Sequence, residues 1–262
     1  SLPSTVSFVD EYAFYGCSSL TSMVLPKSQG SVLAYTFYGC TNLQKVTMAN
    51  PWRVNEYAFY NCVSLATITY TTYIGGGDRS LIGEYAFYNC KSLTRFTMSK
   101  YVAEICAHAF DGCEKLATVT VSSENILGIG SYAFYGCESL TSISIPNSNT
   151  NNSIRIDDYA FAGCSKLSKV TISSNYSGIR INNYVFADCV SLTSFTISDA
   201  VYFIGHHAFS GCSKLTSVTF TSSRTWHLIS SDSSAGKLIT TSSSMNKSLA
   251  AKCFTETYLK YS

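Results

Sequence analysis

The chain has 262 residues, with 18 Lys and Arg against 16 Asp and Glu and a formal net charge of +2. That near-balance excludes a nucleic-acid binder driven by bulk charge, because neutralising phosphates needs a clustered basic excess. Charged residues make up only 13% of the chain, 42 Ser and 26 Thr fill the difference, and no apolar run reaches the roughly 18 residues of a membrane helix.

A repeat sets the order of everything that follows. Of 11 cysteines, nine (Cys17, Cys40, Cys62, Cys90, Cys113, Cys137, Cys164, Cys189 and Cys212) recur at intervals of 22 to 28 residues. Self-similarity at such a period signals a repeat architecture. Within each period the elements come in a fixed order. A β-branched residue stands eight positions before the Cys, from Val9 and Val32 to Ile181 and Ile204. A small residue and a Phe follow, as in Ala133-Phe134. Gly, Asn or Asp directly precedes each Cys (Gly16, Asn61, Asp188). These types tolerate a left-handed backbone, so a tight turn is expected there. The Tyr-Ala-Phe-x-Gly-Cys segment is too short for a full helix and predicts a single helical or 3₁₀ turn. Leu then stands three residues after each Cys, with apolar residues at six and eight, as in Leu140, Ile143 and Ile145. The period-2 alternation predicts a short strand with one buried face.

Taken in chain order, Ser1-Leu2-Pro3 stands one period before Pro26 and reads as the tail of a strand, so the chain is expected to begin inside a truncated repeat. Nine repeats run to residue 221. Two spacers are long, Thr71 to Arg79 and Asn147 to Asn152, and are expected to bulge between strand and turn. Beyond residue 221 the pattern stops. Thr225–Ile229 and Lys237–Thr240 read as a hairpin, and Lys247 to Tyr261 as a helix with Leu249, Ala250, Phe254 and Tyr258 on one side. Residues 222–262 are therefore expected to cap the last core layer of a solenoid spanning 1–221. A lone repeat cannot enclose its apolar residues. Stacking solves this, with one parallel sheet on one face, curved toward the strand side, and short turns on the other.

The motif Ile129-Gly130-Ser131-Tyr132-Ala133-Phe134-Tyr135-Gly136-Cys137, followed by Leu140-Thr141-Ser142-Ile143-Ser144-Ile145-Pro146, resembles the BspA-like branch of the leucine-rich repeat family. The resemblance covers residues 1 to about 221, departing where Asn61 replaces Gly and where Cys106 follows Ile105. It implies a leucine-rich-repeat solenoid of α/β type, mostly β. A curved parallel sheet would form the concave face and helical or 3₁₀ turns the other. It also implies an extracellular or cell-surface protein, often an adhesin for host or matrix proteins.

Chemistry is sparse. His108 and His207 occupy the column held elsewhere by Tyr, so ring stacking accounts for them. Adjacent His206-His207 is not ligand spacing, and no Cys-x-x-Cys or His-x-x-x-His occurs. Gly75-Gly76-Gly77-Asp78 lacks the Lys of a phosphate loop. Asp157-Asp158 lies in an ordinary spacer and reads as solvated loop. The reading is a non-enzyme without cofactor or metal. The cysteine column is expected to fill buried slots as reduced thiols, with Cys253 the likeliest to react.

Two surfaces remain for binding. Outward strand positions carry Lys45, Thr47, Thr69, Arg95, Thr97, Thr120, Lys169, Thr171 and Thr196. Thr suits an exposed strand in any case. Lys45, Arg95 and Lys169 interrupt that neutral surface, with Lys45 and Arg95 expected two layers apart and able to share one acidic group. The second surface is aromatic: Tyr15, Tyr38, Tyr60, Tyr88 and Tyr135 share a column, where ring stacking competes with recognition. The expected function is a surface or secreted adhesin-like module for a protein or glycan ligand, with no nucleic acid and no membrane span. The alternative is a structural spacer within a larger surface protein.

Overall fold

The computed structural model describes residues 2–50, 53–73, 80–98, 100–121, 126–145, 153–173 and 178–221, and the strands 225–229, 237–240, 244–245 and 258–261. Each coil after the first contributes two strands, where the sequence predicted one. The expected strand follows the conserved Leu; Ser142–Ile145, with alternate residues exposed and buried, is typical. The unforeseen strand precedes the turn and is often only two residues long, as at Ser31–Val32, Arg53–Val54 and Gly128–Ile129. Two or three residues are too few for alternation to register in sequence. These short strands nevertheless pair in parallel from Ser31–Val32 to Val201–Ile204 in one continuous sheet.

The predicted strands form a face that is not continuous. Ser22–Val24, Lys45–Asn50 and Thr67–Tyr73 make one sheet. Arg95–Thr97, Thr118–Thr120, Ser142–Ile145 and Lys169–Ile172 make a second. Ser194–Ile197 pairs only onward, with Ser217–Phe220.

The turn segment is not helical, and among the described residues there is no helix. Its hydrogen bonds explain why. In the coil around Phe110, the amides of His108, Phe110 and Gly112 donate to Ser131, Ala133 and Tyr135 of the next coil. Those of Ala109, Asp111 and Cys113 donate three residues back, within the coil. A 3₁₀ helix needs every amide for its own i−3 carbonyl; here every second amide is spent between layers. Two residues per turn have positive φ. One is the Gly, Asn or Asp before the Cys, as expected: Gly136 at 65°, Asn89 at 57°, Asp188 at 58°. The other is the first ring of the motif, Tyr132 at 57° and His108 at 54°, a conformation costly for a residue with a Cβ.

The core runs unbroken between the faces. Phe37, Phe59, Phe87, Phe110, Phe134, Phe161 and Phe186 are fully buried. Their rings stack from Phe14 to Phe209 at centroid distances of 5.1 to 5.6 Å. The cysteines line up behind them as free thiols. Of the repeat cysteines, Cys40 through Cys189 are buried, Cys212 is only partly so and Cys17 is exposed; Cys106, outside the column, is partly buried. Cys17 belongs to the first described coil, and its exposure corrects the expectation that the whole column is buried.

The hairpin expectation holds: Thr225–Ile229 pairs antiparallel with Lys237–Thr240. The helix expectation does not hold where it can be seen. Tyr258–Tyr261 is a strand, antiparallel to both Val201–Ile204 and Thr225–Ile229; the rest of that segment, with Cys253, lies outside the described residues. So do most of the Thr71–Arg79 spacer and all of Asn147–Asn152.

Candidate functional site

The strand-face residues lie where the alternation put them. Lys45, Arg95, Thr97, Thr120, Lys169, Thr171 and Thr196 are exposed, and Thr47 and Thr69 half-buried. Register places Lys45 opposite Ser22 and Thr67, and Thr47 beside Thr69. Arg95 continues through Thr118 and Ser142 to Lys169. Lys45 and Arg95, expected on one ladder, therefore belong to different sheets. Arg95 and Lys169 share one, at its two ends, three strand spacings or about 14 Å apart.

The discontinuity after Lys169–Ile172 opens a cleft. Here Lys169, Val170, Thr171, Ile172, Ser194 and Thr196 surround a cavity of about 340 Å³ that also touches Ser198. Val170 and Ile172 are only half-buried, while their counterparts Ile143 and Ile145 are buried. Ser198 is buried, and its hydroxyl has no hydrogen-bond partner among the described residues. The cleft thus combines one ammonium, several hydroxyls and a strip of apolar wall. Such a mix suits recognition of a polar ligand; it contains no nucleophile–base pair.

The aromatic columns are ladders. Tyr12, Tyr35, Tyr57, Tyr85, His108, Tyr132, Tyr159, Tyr184 and His207 stack at 4.5 to 5.1 Å. Beside them Tyr15, Tyr38, Tyr60 and Tyr88 stack at 4.7 to 4.8 Å. Asp111 interrupts this second ladder, leaving Tyr135 exposed beyond it. Because the ring faces are covered by neighbours, the ladders present edges and phenol hydroxyls. Burial, then the neighbouring phenols, raises the pKa of Tyr38 and Tyr60.

His108 belongs to the stack. His108 Nδ1 lies 2.7 Å from the Asp111 carboxylate, with its ring between Tyr85 and Tyr132. Burial raises the Asp111 pKa against the lowering effect of that bond. Burial, then His207, lowers the pKa of His206. Asp157 and Asp158 bridge coils instead of forming a dyad: Asn182 Nδ2 donates to Asp157 at 2.9 Å, and the Asn183 amide to Asp158 at 2.9 Å. Among the described residues no three His, Cys, Asp or Glu side chains are placed to hold a metal ion, and no helix is long and apolar enough to cross a membrane. Arg155 and Arg180, not among the sequence-predicted site residues, stand on the continuous sheet of short strands. The signal was an identical Ile-Arg-Ile, at 154–156 and again 25 residues later at 179–181.

Stacked parallel coils, a shared Phe core and exposed strand columns define a β-solenoid repeat protein. The chain matches the BspA type leucine rich repeat region in six copies, over residues 1–76, 80–180 and 179–261. It belongs to that family. Among solved structures it is similar to a leucine rich repeat protein of T. pallidum, at 25% identity and a TM-score of 0.54, covering 66% of this chain and 78% of that one. A leucine-rich repeat protein from Eubacterium ventriosum shares 18% identity over 76% of this chain and 72% of its own, with a TM-score of 0.42. A leucine rich cell surface protein from Faecalibacterium prausnitzii shares 23% over 81% and 62%, with a TM-score of 0.32. No curated protein sequence matches the chain.

Proposed function

We propose that this chain is a non-enzymatic, adhesin-like binding module, secreted or held at a cell surface, that engages a host or matrix protein or glycan through its strand face. The observation that carries this reading is the cleft beside Lys169, where the sheet parts and a cation, hydroxyls and apolar wall are exposed together. Family membership supports the placement at a surface, since leucine-rich repeat proteins of this type are often surface-associated and protein-binding. In this reading residues 1–221 are the binding solenoid of nine repeats, and 222–262 close its last layer.

The test begins with capture of host extracellular and matrix proteins on the immobilised chain. The captured partner is then titrated against Lys169→Ser and against the double variant Lys45→Ser with Arg95→Ser. Lys169→Ser is expected to weaken binding by about tenfold and flatten its salt dependence. Neither change should alter thermal stability much, because exposed charges contribute little to folding. Affinity unchanged in both variants at low salt would move the binding surface from the strand face to the tyrosine ladders.

A further inference from the structure

The outward row of the continuous sheet of short strands carries two arginines that the proposed partner surface does not use. Ile154–Ile156 and Ile179–Ile181 pair in register, with Arg155 opposite Arg180, so their Cα atoms stand about 5 Å apart. Like charges directly opposite one another destabilise a sheet, and the two guanidiniums are treated differently. Arg155 is neutralised. Its Nε lies 2.9 Å from the Asp157 carboxylate and its Nη2 3.6 Å from Glu104, reached across Gly128, which stands in register between Glu104 and Arg155.

Arg180 is held in place without being neutralised. Its Nε donates to Asn182 Oδ1 at 2.6 Å, and its guanidinium lies over the Phe203 ring, 4.4 Å from the centroid. Its Nη1 and Nη2 have no carboxylate within ion-pair distance among the described residues. The spacers entering these strands, 146–153 and 174–178, contain no Asp or Glu in their sequence. Asn182 also donates to Asp157, so one relay fixes both guanidiniums and leaves one charged edge unused. That edge borders a cavity of about 350 Å³ lined by Leu127, Ser153, Ile154, Arg155, Arg180 and Tyr202. The Tyr202 ring forms a wall by packing against Gly178, where any side chain would collide with it.

We propose that this cavity binds a small carboxylate of the acidic-sugar class. The carboxylate would pair with the Nη edge of Arg180, and the ring hydroxyls would meet Ser153 and Tyr202. The guanidinium fork matches a planar carboxylate, and its stacked, hydrogen-bonded position removes most of the ordering cost of binding. The volume lies in the lower range of small-molecule pockets, about 300–1,000 Å³. The site lies on the sheet not used by the proposed partner surface, so it stands or fails independently of that reading.

The experiment is calorimetric titration of the full chain with glucuronate, with neutral glucose, with sulfate, and with a Glu-rich peptide. Glucuronate is expected to bind with an affinity that falls as salt rises, and glucose not to bind. Arg180→Gln should weaken glucuronate binding by about tenfold or more. Arg180→Lys should fall between, since it keeps the charge and loses the planar fork. Lys169→Ser should leave it unchanged, and circular dichroism of each variant establishes that it is folded. Equal binding of glucose, unchanged binding by folded Arg180→Gln, or binding of only sulfate or only the peptide would each overturn the assignment.

Discussion

The thiol of Cys113 donates a 3.1 Å hydrogen bond to the carbonyl oxygen of Phe87, one coil earlier. The same oxygen accepts the amide of Cys90 from its own coil, also at 3.1 Å. The pattern recurs from Cys40 to Cys212 at 3.0 to 3.3 Å. Each thiol therefore fills a core slot and also satisfies the second lone pair of a buried carbonyl.

Thiol accessibility follows directly. In a Cys253→Ser background, Ellman's reagent without denaturant should titrate about one thiol per chain rapidly, that of exposed Cys17, with the partly buried Cys106 and Cys212 reacting more slowly. The buried column should react only on unfolding. Rapid reaction of several thiols in the native protein would contradict the ordering of these layers.

Alkaline pH should loosen the stack. Burial pushes the Cys40 thiol up to about 11 and the Cys164 thiol up to about 12, and raises the phenols of Tyr35 and Tyr57 as well. Acids held protonated by the fold stabilise it fully below their unfolded pKa, about 8.5 for Cys and 10 for Tyr. That stabilisation is lost as pH climbs toward the folded values. Thermal midpoints should therefore drop between pH 9 and 11. A midpoint constant across that window would refute the assignment.

The positive φ of the stacked tyrosines sets two effects against each other. Replacing Tyr132 by Gly relieves about 1–2 kcal/mol of backbone strain. It also removes ring contacts at 4.8 Å to both His108 and Tyr159, each worth about 0.5–1.5 kcal/mol beyond the buried area they share. With that area added, Tyr132→Gly should be net destabilising. Tyr12 has only Tyr35 stacked above it and is 53% exposed, so Tyr12→Gly should be close to neutral. Chemical denaturation of the two variants measures the difference, and equal effects would mean that stacking is not what holds the tyrosines in this conformation.

Two glycines of one coil should respond oppositely. A Cβ on Gly130 would meet the backbone nitrogen of Ala107 at 2.6 Å, so Gly130→Ala must push adjacent layers apart and should lower the midpoint by several degrees. Gly136 has positive φ but open space around it, and its column already holds Asn61 and Asn89. Gly136→Asn should be tolerated within about 1 kcal/mol. A larger loss from Gly136→Asn than from Gly130→Ala would show the layer spacing to be wrong.

The core was legible in the sequence because position and burial repeat together: Phe110, Cys113 and Leu116 recur at fixed offsets and are all fully buried. The left-handed turn before each Cys was legible from residue type. The same conformation at Tyr132 was not, since tyrosine carries no preference for it and only the stack selects it. The cleft beside Lys169 was hidden because Thr171 and Thr196 continue the same hydroxyl column on either side of it. Arg155 and Arg180 fell in spacers, outside the consensus that organised the reading, although their repeated Ile-Arg-Ile was in plain view.

The alternating amides of the turn segment have an electrical consequence. The peptide units that bond between layers, such as those joining Ala107 to His108 and Ala109 to Phe110, all point their N–H toward later coils and their C=O toward earlier ones. The intervening units bond within the coil and do not oppose them. As in a helix, dipoles of about 3.5 D aligned head to tail add together. This face of the solenoid therefore carries an axial moment that grows with every coil, positive toward the C-terminal end, while amides flanking the turn, such as those of Cys106 and Ala117, donate to the earlier coil and point the other way.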